Sequence, residues 1–211
     1  MQYYPLFLDI KGKEILIIGG GYIALEKIQN LLKAGPKITV IAPLIRPGVA
    51  RFNRRITFIN REVYLSDITE KYLLVFCATG DSELNAKVSQ YCLERRILCN
   101  TVDDPKWCHF IVPSMFRRGY LTIAISTAGV SPSLAKKIKA SLREWIGPEY
   151  TQYTRWLFGF RETIKANIPT LSERMKFWTF FYKQEPLKLL KSSSIKTLEN
   201  RARDWIKNYD A

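Results

Sequence analysis

The chain has 211 residues, 47% apolar and 13% aromatic, which supports a substantial core and excludes wholesale disorder. No stretch approaches the roughly eighteen consecutive apolar residues of a membrane span, and the opening MQYYPLFLDIKGKE lacks the basic start and long apolar run of a secretory signal, so a cytoplasmic protein is expected. Charge is uneven: residues 1–112 carry 15 Lys/Arg against 11 Asp/Glu and residues 113–211 carry 18 against 8, a field that draws nucleic acid, an acidic membrane surface or a small polyanion.

From Glu14 the sequence reads EILIIGGGYIALEKIQNLLKAG. Ile15 to Ile18 is a continuous apolar run, as a buried parallel strand requires. Three glycines follow, then helical spacing with Ile23, Ile28, Leu31 and Leu32 on the apolar side and Gly35 as the stop. KITVIAP is a second strand ended by Pro43, which completes a βαβ unit. Arg55 to Glu62 predicts a third strand, and Tyr72 to Ala78 a fourth, closed by Thr79-Gly80-Asp81. Asp81 to Arg95 is helical in period; Ile97 to Val102 is a fifth strand running into Asp103-Asp104-Pro105. The fold class is α/β, a Rossmann-type doubly wound parallel sheet. The four cysteines, Cys77, Cys92, Cys99 and Cys108, have neither zinc-site nor disulfide-framework spacing and read as buried thiols.

Beyond Trp107 the character changes. Two apolar runs around Arg117-Arg118-Gly119 predict a hairpin, and Ser131-Pro132 is a cap and first position of a helix. From Tyr150 aromatic and basic residues recur at helical spacing, broken at Pro169 and Pro186, which predicts about three helices. Trp145, Trp156, Trp178 and Trp205 read as core.

Gly19-Gly20-Gly21-Tyr22-Ile23-Ala24 fits G-x-G-x-x-G/A through Gly19, Gly21 and Ala24. The first glycine allows a sharp strand-to-helix turn, the second lets a pyrophosphate approach the backbone, and the small third residue lets helix and strand pack closely. The helix N-terminus then offers N–H groups to the phosphates. The acidic residue that usually holds the adenosine ribose is absent, because the second strand ends Ile41-Ala42-Pro43-Leu44. Arg46 would meet a 2′-phosphate, so NAD and NADP both stay open. Thr79 ends a strand on the ligand-facing edge, where it either borders the cofactor or belongs to a helix start capped by Asp81.

These motifs, taken with LLVFCATGD, CNTVDDPKWCHFIVPS and LTIAISTAGVSPSLAKKIKASLRE, resemble the bifunctional precorrin-2 dehydrogenase/sirohydrochlorin ferrochelatase family, which includes the N-terminal module of siroheme synthase. The resemblance extends over roughly residues 1–146, with a tail of matching length and character. It implies an NAD-binding Rossmann domain over 1–112, a small β-rich dimerisation region over 113–146 and a helical domain over 147–211. It also implies NAD-dependent oxidation of precorrin-2 to sirohydrochlorin, and in some members insertion of ferrous iron. The family's key aspartate falls on Asp103 and its serine on Thr127, while Tyr22-Ile23 and Pro43-Leu44 match segments that contact the dinucleotide. No resident metal is expected.

The chemistry suits those residues. Oxidation removes a hydride and a proton, the cofactor carrying the difficult step and protein groups receiving protons. Metal insertion displaces two pyrrole N–H protons, so one carboxylate, Asp103, could serve both reactions. Asp104 beside it would raise its pKa by like-charge repulsion. The tetrapyrrole's carboxylates give the basic half a purpose: Arg117 and Arg118 are the first candidates for holding them, with Lys136, Lys137 and Lys139 behind. His109, the one histidine, reads as structural among Trp107, Cys108 and Phe110. Apolar runs from Phe110 to Thr127 predict pairing into a homodimer. Competing readings are a dehydrogenase with a separate chelatase, a dinucleotide-dependent sensor or chelatase-only protein without dehydrogenation, and a basic nucleic-acid-binding module using Tyr153, Trp156 and Trp178 as stacking platforms.

Overall fold

The computed structural model describes residues 3–102 and 105–209, and the chain forms two compact units that divide between Val112 and Pro113. In the first, the apolar runs become strands β1 (Glu14–Ile18), β2 (Lys37–Ile41), β3 (Thr57–Ile59), β4 (Tyr72–Cys77) and β5 (Leu98–Thr101). All pair in parallel in the order β3-β2-β1-β4-β5. Because side chains alternate along a strand, β1 feeds two cores. Ile15 and Ile17 join Ala24 and Ile28 of α1 (Tyr22–Leu31) and Val49 of the short α2 (Pro47–Ala50) on one face. Leu16 and Ile18 join Val88 and Cys92 of α3 (Ser82–Glu94) on the other. Helices on both faces make the sheet doubly wound, as its continuous apolar strands require.

Two local expectations are corrected. The third strand is three residues long rather than eight: it is an edge strand with one ladder, and Arg61 is drawn away from it by a bidentate pair with Asp67 at 2.7 Å and a bond to the Glu62 carbonyl. That guanidinium and the Tyr64 N–H hold the Asp67 carboxyl below the usual range. In α1, Ile23 is exposed, and the buried positions are Ala24 and Ile28.

The second unit opens with an antiparallel hairpin, β6 (Ser114–Arg118) and β7 (Leu121–Ile125), turned at Gly119 with φ +60°. Helices α4 (Pro132–Trp145) and α5 (Glu149–Asn167) pack on it. Ser131 caps α4 by accepting from the Leu134 N–H, with Pro132 at the first position. The tail then holds α6 (Leu171–Lys183), α7 (Pro186–Ser192) and α8 (Ile195–Lys207). Four helices follow Tyr150's neighbourhood rather than three, because Ser194 caps a separate α8 after the serine run.

Trp156, Trp178 and Trp205 pack with Phe160, Phe177 and Phe181. Trp145 does not: it is 70% exposed. Its neighbours on the same helical face, Leu134 and Ile138, are exposed as well.

Tyr153 is buried, and its hydroxyl has no hydrogen-bond partner among the described residues. Burial pushes the phenol up, with Tyr182 and Tyr150 adding to the effect. Such an orphaned donor costs about 1–3 kcal/mol. Tyr153→Phe is expected to leave stability unchanged or raise it by about 1 kcal/mol, read as the midpoint of urea unfolding; a loss of more than about 1 kcal/mol would reveal a partner for the hydroxyl.

Candidate functional site

The sheet order reverses between β1 and β4, the place where open α/β sheets leave a crevice at the carboxyl ends of their strands. The β1–α1 turn is sewn to both neighbours there. Gly19 N–H donates to the Ile41 carbonyl of β2 at 2.9 Å, and Ala78 N–H donates to the Ile18 carbonyl at 2.8 Å.

The three glycines of the turn do different jobs. Gly19 has φ +113°, and a Cβ there would strike the Ala78 carbonyl, with its carbon at 2.8 Å. A Cβ on Gly20 would run into the Leu44 carbonyl, with Ile45 Cα at 3.1 Å, and the Gly20 carbonyl accepts from Arg46 N–H. Nothing lies within 4 Å of a Cβ on Gly21, whose extended backbone suits any residue. The chain itself therefore requires the first two glycines but not the third. Gly21 is the N-cap of α1 and supplies no side-chain cap, so the first N–H groups of the helix face that open space. Ala24 is fully buried beneath it, where only a small residue fits. A diphosphate fits a cradle of this kind, which a side chain on Gly21 would fill.

Around the cradle lie apolar side chains that the chain leaves uncovered: Tyr22 is 72% and Leu44 76% exposed, with Ile23 and Pro43 exposed beside them. Arg46 sets its guanidinium 4.3 Å from the Tyr22 ring centre. Thr79, half-buried on the β4 side, donates to Asn85 Oδ1 at 2.6 Å, and its oxygen accepts from Asp81 N–H at 3.2 Å. Asp81 caps α3 through the Leu84 N–H. Thr79 thus shapes the loop beside the turn. Asn85, 2% exposed, is the organising residue that sequence reasoning missed; a polar position on the same face of α3 as Val88, Ser89 and Cys92 was its signal.

Asp103, the proposed proton acceptor, lies outside the described residues, as does Asp104. The element before it is well fixed. Ser89 Oγ donates to the Trp107 carbonyl at 2.6 Å and lies 3.4 Å from His109 Nε2, while His109 Nδ1 lies 3.2 Å from both the Cys99 N–H nitrogen and the Ile97 carbonyl oxygen. His109 thus ties β5 to α3. Cys77, Cys92 and Cys99 are buried thiols, Cys77 donating to Asn85 Oδ1 at 2.9 Å; Cys108 is half-buried. A hydrogen bond to the Cys92 sulfur, together with burial, pushes the Cys99 thiol up and keeps it protonated. Among the described residues no cluster of three or more His, Cys, Asp or Glu could hold a metal ion.

In the second unit, Arg117 Nε donates to Thr122 Oγ1 on the exposed side of the hairpin. Arg118 Nε donates to the Ile146 carbonyl at the end of α4. Thr127 Oγ1 accepts from Ser131 N–H in the turn that enters α4. The β6–β7 register puts Arg117 and Arg118 at the turn end and Thr127 beyond the opposite end, so the hairpin does not bring these three candidates together. A separate groove between α5 and α8 is lined by Arg155, Gly159 and Thr163 against Glu199 and Arg203, over Trp156 and Phe160. Its arginines make no ion pair among the described residues. A glycine flanked four residues away by Arg155 and Thr163 was the available signal.

A family described as "Putative NAD(P)-binding" matches residues 6–114, the strands and turn just described. The chain belongs to this NAD(P)-binding family. The resemblance read from the motifs is borne out as well. Over 180 residues the chain is 37% identical to "Siroheme synthase" of Thioalkalivibrio sulfidiphilus and 38% identical to that of Vesicomyosocius okutanii, covering 84% of this chain. It spans only 37% and 38% of those two proteins' lengths. A solved structure described as "SirC, precorrin-2 dehydrogenase" superposes with a TM-score of 0.76 at 29% identity, covering 98% of this chain and 100% of that one. The Rossmann-type sheet, antiparallel hairpin and C-terminal helices are thus a shared architecture. Among the described residues no helix is long and apolar enough to cross a membrane.

The glycines separate fold from ligand. Gly19→Ala is expected to unfold the domain or lower its melting temperature sharply, since two backbones collide. Gly21→Val should melt within a few degrees of the parent (a shift under about 1 kcal/mol) yet lose dinucleotide affinity by about tenfold or more, measured by calorimetry. Equal dinucleotide affinity in Gly21→Val would show that no phosphate sits at this turn.

Proposed function

We propose that this chain is an NAD-dependent precorrin-2 dehydrogenase, a cytoplasmic homodimer that forms sirohydrochlorin. The observation that carries the reading is the open cradle at Gly21 on a chain that matches a precorrin-2 dehydrogenase structure over 98% of its length. When bound, NAD supplies the hydride acceptor. Gly21 and the first N–H groups of α1 hold its diphosphate, Tyr22, Ile23, Pro43 and Leu44 cover its adenosine end, and Thr79 keeps the loop beside the turn in shape. Asp103 takes the proton that leaves the macrocycle as the hydride departs, so two electrons and two protons are accounted for. Thr127, Arg117 and Arg118 are the proposed contacts to the tetrapyrrole's rim, with Arg155 and Arg203 as further unpaired cations of the same unit.

Ferrous iron enters as a substrate. Insertion displaces two pyrrole N–H protons, and the carboxylate that serves oxidation would accept them in turn. The alternative is a dehydrogenase that passes sirohydrochlorin to a separate chelatase. The nucleic-acid reading loses its platforms: Tyr153 is buried, and Trp156 and Trp178 pack in the aromatic cluster of the helical unit.

An anaerobic assay tests the proposal and separates its arms: the protein with precorrin-2 and NAD, followed by ferrous iron once sirohydrochlorin has formed. Sirohydrochlorin formation is expected, and its absence would overturn the dehydrogenase reading. Iron insertion above the spontaneous rate selects the bifunctional arm. Asp103→Ala should lower the oxidation rate by about a hundredfold or more, the usual contribution of a positioned proton acceptor; an unchanged rate would remove Asp103 from the mechanism.

Self-association has its own support. Leu134, Ile138 and Trp145 project within about 40° of one another around α4, an exposed apolar stripe. Ile138→Glu combined with Trp145→Glu is expected to convert a dimer to a monomer in sedimentation equilibrium. A double variant that stays dimeric would place the interface elsewhere.

A further inference from the structure

The adenosine side of the cradle has an unusual charge pattern. Between Glu26 and Glu62 there is no acidic residue, while Lys27, Lys33, Lys37, Arg46, Arg51, Arg54, Arg55 and Arg61 all fall in that stretch. It contains β2, α2 and β3, the part of a Rossmann unit that lies beside the adenosine ribose. An acidic side chain at the end of the second strand would bind the 2′-hydroxyl and repel a 2′-phosphate. Here β2 ends at Ile41 and runs into Ala42, Pro43, Leu44 and Ile45, none of which can do either.

The first charged side chain after β2 is Arg46. Its backbone is fixed by the bond from its N–H to the Gly20 carbonyl, 3.1 Å away, inside the glycine turn itself. Its guanidinium lies 4.3 Å from the centre of the exposed Tyr22 ring, the first residue of α1. No carboxylate pairs with it among the described residues. Stacking orients the planar fork and leaves its edge N–H groups for an acceptor, an arrangement that Arg adopts for phosphate and Lys cannot copy.

We infer that Arg46 is a specificity-determining residue that receives the 2′-phosphate of NADP, so that the cradle takes NADP as well as NAD. This rests on the dinucleotide reading of the glycine turn and goes beyond it, since that reading alone is silent about the ribose. The extra phosphate brings up to two negative charges to a stretch of thirty-five consecutive residues without an acid. Of its eight cations, Lys37 and Arg61 pair with Glu14 and Asp67 from outside it, while Arg46 has no carboxylate partner among the described residues.

Titration calorimetry on the full chain tests it with four probes: NAD, NADP, ADP-ribose and 2′-phospho-ADP-ribose, the last two removing any contribution from the nicotinamide. NADP is expected to bind as tightly as NAD or more so at low salt, with the steeper weakening as salt rises. Arg46→Gln should raise the ratio of the NADP to the NAD dissociation constant by about tenfold or more, the loss of a charge-assisted hydrogen bond. Arg46→Lys, which keeps the charge without the planar fork, should fall between. The same ordering is expected for the two ADP-ribose probes. A dissociation constant for NADP more than about tenfold weaker than for NAD, or a ratio that Arg46→Gln leaves unchanged, would overturn the inference while the dinucleotide site stands. Failure of all four probes to bind would sink the dinucleotide reading together with it.

Discussion

The contact on which the nucleotide-binding unit depends is the approach of the Gly19 backbone to the Ala78 carbonyl. Adjacent parallel strands lie about 4.8 Å apart, and at the carboxyl end of β1 the chain must leave the sheet, pass that neighbour and enter a helix within three residues. Only a residue without a Cβ, at φ +113°, makes the passage. The bonds from Gly19 N–H to Ile41 and from Ala78 N–H to Ile18 then hold the turn from both sides. Everything functional at this end follows from that geometry. Gly21 falls just beyond the sheet, α1 begins with its N–H groups uncapped, and Tyr22 and Leu44 are left facing outward.

The same edge shows two ways in which polar groups are spent. On the β4 side, Thr79, Asp81 and Asn85 satisfy one another and the start of α3, so the loop is stiff before any ligand arrives. On the β1 side no side chain satisfies the start of α1. A helix end left open beside one that is capped marks where an external acceptor is expected. The arrangement favours a preorganised site, because the groups that would have to be ordered on binding are already ordered by the sheet.

Much of this was legible in the sequence because it is carried by local rules. The continuous apolar strands, the Ser131-Pro132 helix start and the glycine spacing each have a short-range cause, and each appears where the residues place it. What could not be read is what depends on distant neighbours. Gly20 is an arbitrary position in the motif, yet the Leu44 carbonyl forbids any side chain there. The third strand stops early because Asp67, six residues on, captures Arg61. Trp145 has the spacing of a core residue but is exposed, since Ala135 is the buried position through which α4 meets its neighbours.

Charge behaves differently in the two units, and the difference bears on the proposed reaction. In the second unit, among the described residues, only Lys165, Lys188 and Lys191 find carboxylate partners; the first two pairs are solvent-exposed and the third has a partly buried Glu149. Exposed pairs of this kind contribute little to stability. Selection for folding therefore does not account for the excess of Lys and Arg, since most of them touch no acid. An unneutralised field does its work at a distance, by concentrating a polyanion near the surface and orienting it before contact. A tetrapyrrole ringed by carboxylates suits such a field whichever individual cations finally touch it. Steering of this kind is distributed and specific contact is not, so losing one surface lysine should matter far less than closing the cradle at Gly21.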